Sequence, residues 1–172
     1  IKMPKPRPTK NTKVHYLTQD MEDELLDYLL INEYREAYDI VCCLIDLGCR
    51  VNELLNLEKR FVDYDNNQIN FNDRKNDQAV AVPMTNRVQA KIERYYKQTK
   101  DFDKLFSLNY SELNAIWQKA RKDLGYADKK FYTLHLCRHT TASKLVQRGV
   151  PILLVKDWLG HEDIENTMIY AH

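Results

Sequence analysis

Residues 135–172 carry side chains whose types and spacing suit one kind of chemistry: His135-Leu136-Cys137-Arg138-His139, then Leu159-Gly160-His161, then Tyr170. A tyrosine hydroxyl can act as a nucleophile that forms a covalent ester, and imidazoles can move protons to or from it. A guanidinium presents a planar fork that matches two phosphate oxygens, which a lysine point charge does not. Together these groups are the parts needed to break and rejoin a phosphodiester without a metal.

His135 and Arg138 stand three apart in a stretch of helical character, so they share a face. By itself such a pair is more often an ordinary surface feature. His135 and His139, four apart, also have the spacing of a zinc-binding helix, but Leu136 stands where that motif needs its glutamate. His139 is therefore read as packing or capping within the helix. A second guanidinium occurs in Leu47-Gly48-Cys49-Arg50-Val51-Asn52-Glu53, where Arg50 sits at a helix start among apolar residues and Glu53, one turn on, is placed to hold it. Alone this is an internal ion pair; with the distal motif it becomes a second phosphate clamp.

The elements that must position these groups are mostly helical. Thr18 is a helix N-cap ahead of Met21, Leu25, Leu26, Leu29 and Leu30 at helical spacing, with acids in the first turn. A second helix is expected from Glu33 to Leu47, stopped by Gly48, and a short third one carries Val51, Leu54 and Leu55. Between residues 61 and 83, β-prone runs alternate with turn residues, which predicts a small antiparallel sheet of about three strands. Helices follow at Asn86 to Gln98, Tyr110 to Leu124 and Thr133 to Gln147, then one opened by Pro151 and a last one from Asp163 to about Tyr170. The expected class is mainly α with a small three-stranded antiparallel sheet, α+β. Residues 1–13, in which Pro alternates with Lys or Arg, read as an extended basic linker. Residues 14–172 hold all of these elements.

The net charge of +1 over 172 residues conceals segregation. The first stretch is wholly basic, Asp20 to Asp39 is strongly acidic, and Lys119 to Lys144 is basic again through Arg121, Lys122, Lys129, Lys130 and Arg138. This suits one face for a polyanion and one for water. The acids of residues 20–39 are read as the solvated face of amphipathic helices. Cys42, Cys43, Cys49 and Cys137 lack paired spacing and read as reduced, buried thiols, not as a zinc site. No signal segment or membrane span is visible, so a cytoplasmic protein is expected. Four glycines without a phosphate-loop signature, and no clustered carboxylates, argue against nucleotide-dependent or two-metal chemistry; no cofactor and no metal are expected.

In this setting the ordered set Arg50 with Glu53, Lys75, His135 with Arg138, Leu159-Gly160-His161 and Tyr170 resembles the catalytic domain of the tyrosine recombinases, the family of phage and mobile-element integrases. The resemblance spans residues 14–172 and implies a catalytic domain that stops just after its nucleophile, residues 1–13 as the linker from a missing upstream DNA-binding domain, and a place on DNA in the cytoplasm of a bacterial host cell. It implies the fold of that domain and a set of roles. Tyr170 would attack the scissile phosphorus, Arg50 and Arg138 would grip the non-bridging oxygens, and His135 and His161 would bond the phosphate. Lys75, eight residues before Pro83 in the turn between the second and third strands, would protonate the departing 5′ oxygen as general acid. Arg74 beside it and the run Arg-Lys-Asn-Asp-Gln depart from the glycine-containing hairpins of the family.

The resemblance also implies a double-stranded DNA partner carrying a recombination site, contacted through Arg121, Lys129 and Lys130, and a homotetramer on DNA from a chain that is monomeric alone. Integration or excision of DNA is the implied role. Alternatives are a topoisomerase-like or telomere-resolving relative with the same chemistry, and a catalytically inactive DNA-binding module. Thr167 three residues before Tyr170 favours the integrase branch. With little chain beyond it, Tyr170 is expected to be mobile, or displaced from Arg50, His135 and Arg138, when no DNA or partner chain is present.

Overall fold

The computed structural model describes residues 14–71, 80–160 and 164–171. In chain order it runs α1 Gln19–Ile31, α2 Arg35–Leu47, α3 Val51–Leu55, a 3-10 turn at Lys59–Phe61, β1 Val62–Asp63, β2 Gln68–Phe71, β3 Val80–Pro83, α4 Asn86–Gln98, α5 Tyr110–Asp123, α6 Leu136–Gln147, α7 Ile152–Leu159 and α8 Glu165–Met168. The expected mainly helical class with one three-stranded antiparallel sheet is what the structure shows. The basic segment 1–13, read as a linker, lies outside the described residues.

Helix α2 is the central element, packed against α1, α4 and α6. Its residues Ile40, Val41, Cys42, Cys43, Leu44, Ile45 and Leu47 are all buried, so it is apolar nearly all round, as a helix enclosed by others must be. All four cysteines are buried, and burial pushes the thiols of Cys42, Cys43 and Cys137 upward, away from the reactive thiolate. Among the described residues no helix is long and apolar enough to cross a membrane.

The sheet has strand order β1-β2-β3, with Val62 opposite Ile69 and Ile69 opposite Val82. These three side chains and Phe71 point to the core and alternate with half-buried or exposed neighbours, the period-2 pattern of a sheet with one dry face. The connection between β2 and β3, residues 72–79, contains Lys75 and lies outside the described residues.

Three boundaries differ from the sequence reading, each for a local reason. Helix α2 begins at Arg35, not Glu33, because α1 ends in a Schellman closure: Tyr34 N–H donates to Leu29 O at 2.8 Å and Glu33 N–H to Leu30 O at 3.1 Å. Glu33 takes the left-handed conformation, φ 63°, usually given to glycine. Helix α6 starts at Leu136 because residues 133–137 first close short turns, Leu136 N–H on Thr133 O and Cys137 N–H on Leu134 O. Helix α8 ends at Met168, and Tyr170 follows in a tighter turn, its N–H on Thr167 O at 3.0 Å.

The acids of α1 and α2 are not all solvated, and the expectation is corrected at two of them. Glu22 is buried and takes Lys144 at 2.7 Å and Arg87 at 3.2 Å; Arg87 also reaches Asp46 at 2.6 Å. Asp39 is buried too and accepts from Tyr95 Oη at 2.6 Å, with Arg94 and Arg35 at 3.3 and 3.4 Å. A buried carboxylate survives only with such partners. Through them α1, α2, α4 and α6 are tied around α2.

Candidate active site

The site is organised by a close convergence of three elements. Gly48 ends α2 in the left-handed conformation, φ 69°. A Cβ there would lie 2.8 Å from Thr141 Cγ2 of α6 and 3.1 Å from Leu159 Cδ2 of α7, so only glycine lets the end of α2 approach both helices. Hydrogen bonds fix this approach: Thr141 Oγ1 donates to Ile45 O at 2.5 Å, and Trp158 Nε1 to Leu47 O at 2.9 Å.

Arg138 lies in that convergence, 4% exposed. Its Nη1 donates to Gly48 O and its Nη2 to Leu159 O, both at 2.6 Å. One guanidinium therefore cross-links the turn that leads to Arg50 and the turn that leads, through Gly160, to residue 161. A guanidinium has five N–H donors, so holding two carbonyls does not exhaust it. Charge and scaffold are combined in a single side chain.

Arg50 is exposed and stands at the N-cap of α3. Glu53, expected to hold the Arg50 guanidinium, accepts the Arg50 backbone N–H at 2.7 Å and so fixes the helix start from which Arg50 projects. His135 presents part of its ring to solvent. Desolvation by the protein around it, then the positive charges of Arg138 and Arg50, hold its pKa below the ordinary value. It is neutral at pH 7, and both arginines are near enough to act on it.

Tyr170 is 7% exposed and packs in a small apolar cluster with Ala142, Val155 and Leu159. Its hydroxyl is hydrogen-bonded to Nδ1 of His139. Tyr170, expected to be mobile or displaced from Arg50, His135 and Arg138, is packed in a pocket that α6 and α7 of the same chain supply for the ring. Burial pushes its pKa up to about 12, with Arg138 pulling the other way, so the phenol is protonated at rest. His139, read from sequence as a packing or capping residue, is the side chain that meets it. The His135 ring stands edge-on to that of His139, centroids 4.8 Å apart, and burial first, then His135, Arg138 and His15, push the His139 pKa down to about 4. Its signal was the i,i+4 spacing from His135, which places both imidazoles on one helix face.

Arg50, His135, Arg138 and Tyr170 are thus gathered around the ends of α2, α6 and α7. Lys75 and His161 lie outside the described residues. Of the three candidate DNA contacts, Lys129 and Lys130 are exposed. Arg121 is turned inward: its Nη2 donates to Lys129 O at 2.6 Å and its Nε to Tyr126 O at 3.0 Å, so it braces the loop that displays the two lysines.

The model of the phage integrase family matches residues 15–172. The chain belongs to the phage integrase family. Among its relatives, tyrosine recombinase XerA of Saccharolobus solfataricus is 32% identical over 152 residues, covering 87% of this chain and 51% of that protein. The integrase of Salmonella phage P22 is 28% identical over 191 residues, covering 100% of this chain and 46% of its own length. The chain spans about half the length of these integrase-family relatives.

The integrase-family fold is equally plain in solved structures. The crystal structure of XerA recombinase superposes with a TM-score of 0.76 at 28% identity, over 92% of this chain and 60% of that one. The Tn1549 transposon integrase, solved in complex with a circular intermediate DNA, gives 0.81 at 20% identity over 93% and 62%, a likeness of fold alone.

Proposed function

We propose that this chain is the catalytic domain of a site-specific tyrosine recombinase that cuts and rejoins double-stranded DNA for a phage or other mobile element. The observation that carries this reading is Arg138, whose bonds to Gly48 O and Leu159 O draw the C-terminal ends of α2 and α7 around one guanidinium, with Tyr170 packed beside the same helix.

In the reaction a scissile phosphate lies between Arg50 and Arg138, which hold its non-bridging oxygens and stabilise the charge that grows in the pentavalent transition state. Tyr170 Oη forms a bond to phosphorus as the bond from phosphorus to the 5′ oxygen breaks. His135, neutral at pH 7, takes the phenol proton, and Lys75 gives a proton to the 5′ oxygen, while His161 donates to the phosphate. The products are a 3′-phosphotyrosyl link and a free 5′ hydroxyl. Because one phosphodiester replaces another, a second strand's 5′ hydroxyl can reverse the step without ATP or a metal. The names of the relatives, tyrosine recombinase XerA and the integrase of phage P22, support DNA as the substrate. Four copies on two duplexes, each a monomer before binding, in the cytoplasm of the host cell, complete the proposal.

The test uses a pool of 5′-labelled nicked duplexes with randomised cores, in which cleavage near the nick releases a short fragment and traps the adduct. The wild-type chain should yield a labelled protein–DNA species on a denaturing gel, with and without chelator. Tyr170→Phe should yield none. An adduct formed by Tyr170→Phe, or one abolished by chelator, overturns the proposal.

A further inference from the structure

A buried phenol has to place its O–H on an acceptor, or pay the full desolvation of an unmatched donor. For Tyr170 that acceptor is Nδ1 of His139. His139 is itself well fixed, since it is borne by α6, faces the His135 ring edge-on at 4.8 Å, and adjoins Arg138, which is bonded at both Nη atoms. The Tyr170 and His139 rings lie 5.7 Å apart and tilted by 44°, a geometry set by the hydroxyl-to-nitrogen contact and not by stacking. At neutral pH the imidazole is uncharged, so one nitrogen accepts and the other donates. The phenol's own proton assigns the acceptor role to Nδ1 and the N–H to Nε2.

We propose that His139 is a positioning residue for Tyr170: its Nδ1 accepts the phenol hydrogen and keeps the nucleophile inside its own chain's site, one residue along α6 from Arg138, before DNA arrives. This rests on the reading of Tyr170 as the nucleophile. Release of one hydrogen bond then brings Oη to a phosphate held by Arg138, with no search through solvent. Displacing a reacting group by about 1 Å can cost ~100-fold in rate, so a residue that only holds the phenol in place affects the chemical step strongly.

Two measurements on the 172-residue chain test this. Nitrogen-15 NMR of labelled histidine should show His139 as the Nε2–H tautomer, with an Nδ1 resonance that shifts in Tyr170→Phe. On duplexes that the wild-type chain cleaves, His139→Leu should slow adduct formation at saturating DNA by about 10- to 100-fold, with unchanged DNA affinity and a native circular dichroism spectrum. His139→Asn, whose amide oxygen falls near the place of Nδ1 but cannot act as a base, should recover most of the rate, whereas His139→Gln, which extends toward the place of Nε2, should not. An Nδ1–H tautomer, a resonance indifferent to Tyr170→Phe, or an Asn variant as slow as the Leu variant overturns the proposal. An adduct made by Tyr170→Phe would remove the nucleophile instead and leave the tautomer result standing.

Discussion

Two arginines of the site hold different structural positions, and their variants should separate accordingly. Arg138 is buried and bonded to two main-chain carbonyls; Arg50 is exposed at a helix start. Arg138→Lys keeps the charge but loses the fork, so it should lower thermal stability and slow cleavage together, the latter by roughly 100- to 1,000-fold. Arg50→Ala should slow cleavage by a similar factor with almost no change in melting temperature, and calorimetry beside the adduct assay decides both. The residue types were legible in the sequence, because two Arg, two imidazoles and a final Tyr at those spacings have few other uses together. Their partners were not: that Arg138 would spend bonds on Gly48 and Leu159, or that His139 would meet Tyr170, depends on which helix ends converge. His139 carries a pH consequence. Its pKa falls from the ordinary value of about 6.5 to about 4 on folding, so the unfolded chain binds a proton there that the folded chain refuses. Stability contributed by the neutral imidazole is full above pH ~6.5 and is lost as the pH falls toward about 4. His135, also depressed, acts in the same direction, as do the lowered carboxyls of Asp63, Glu93 and Asp123, which wild type and His139→Leu share. Melting temperature should therefore fall across that range, and fall less in His139→Leu; an identical acid limb in both proteins would refute this account.

Among elements, the contact that matters most is the approach of α2, α6 and α7 at Gly48. Gly48→Ala places a methyl 2.8 Å from Thr141 Cγ2 and forces a side chain into φ 69°. The conformational cost is about 1 kcal/mol and overpacking adds about 1–3 kcal/mol. Relief must come from moving α6 or α7, which carry Arg138 and Leu159. Denaturant unfolding should show a loss of about 2–4 kcal/mol, and cleavage should drop although no group named in the reaction has been altered. A stability within 0.5 kcal/mol of wild type would mean that the helices have slack the geometry does not suggest. Most elements could be read directly, since Thr18, Thr85 and Asn109 cap their helices as their types predict and Gly48 and Gly160 close theirs. The exceptions are instructive. Glu33 closes α1 in a conformation that its type does not advertise, and Glu22 and Asp39 look like surface acids until Lys144, Arg87, Arg94 and Tyr95 arrive from distant segments. Local pattern specifies a helix; long-range packing decides which of its charges are buried.

For the molecule as a whole, a net charge of +1 gives little overall attraction to a polyanion, so the affinity for DNA that the proposed function requires must come from local patches. The acids of α1 and α2 are partly neutralised within the fold by Arg87, Lys144, Arg35 and Arg94, which leaves those cations less able to serve a phosphate. Lys129 and Lys130, exposed on the loop braced by Arg121, are differently placed, although Asp128 stands 4.0 Å from Lys129. Each lysine that meets a phosphate releases a counterion, so Lys129→Ala and Lys130→Ala should each reduce the slope of log affinity against log salt by about 0.9. Arg121→Ala tests a different cause. It removes donors to Lys129 O and Tyr126 O, so its loss of affinity should be accompanied by faster amide exchange across residues 126–130. Combined with Lys129→Ala and Lys130→Ala it should weaken binding no further, because the charges it positions are already gone. Additive losses in that triple variant would put Arg121 itself on the DNA, and an unchanged salt slope in the lysine variants would move the phosphate-binding face elsewhere on the molecule.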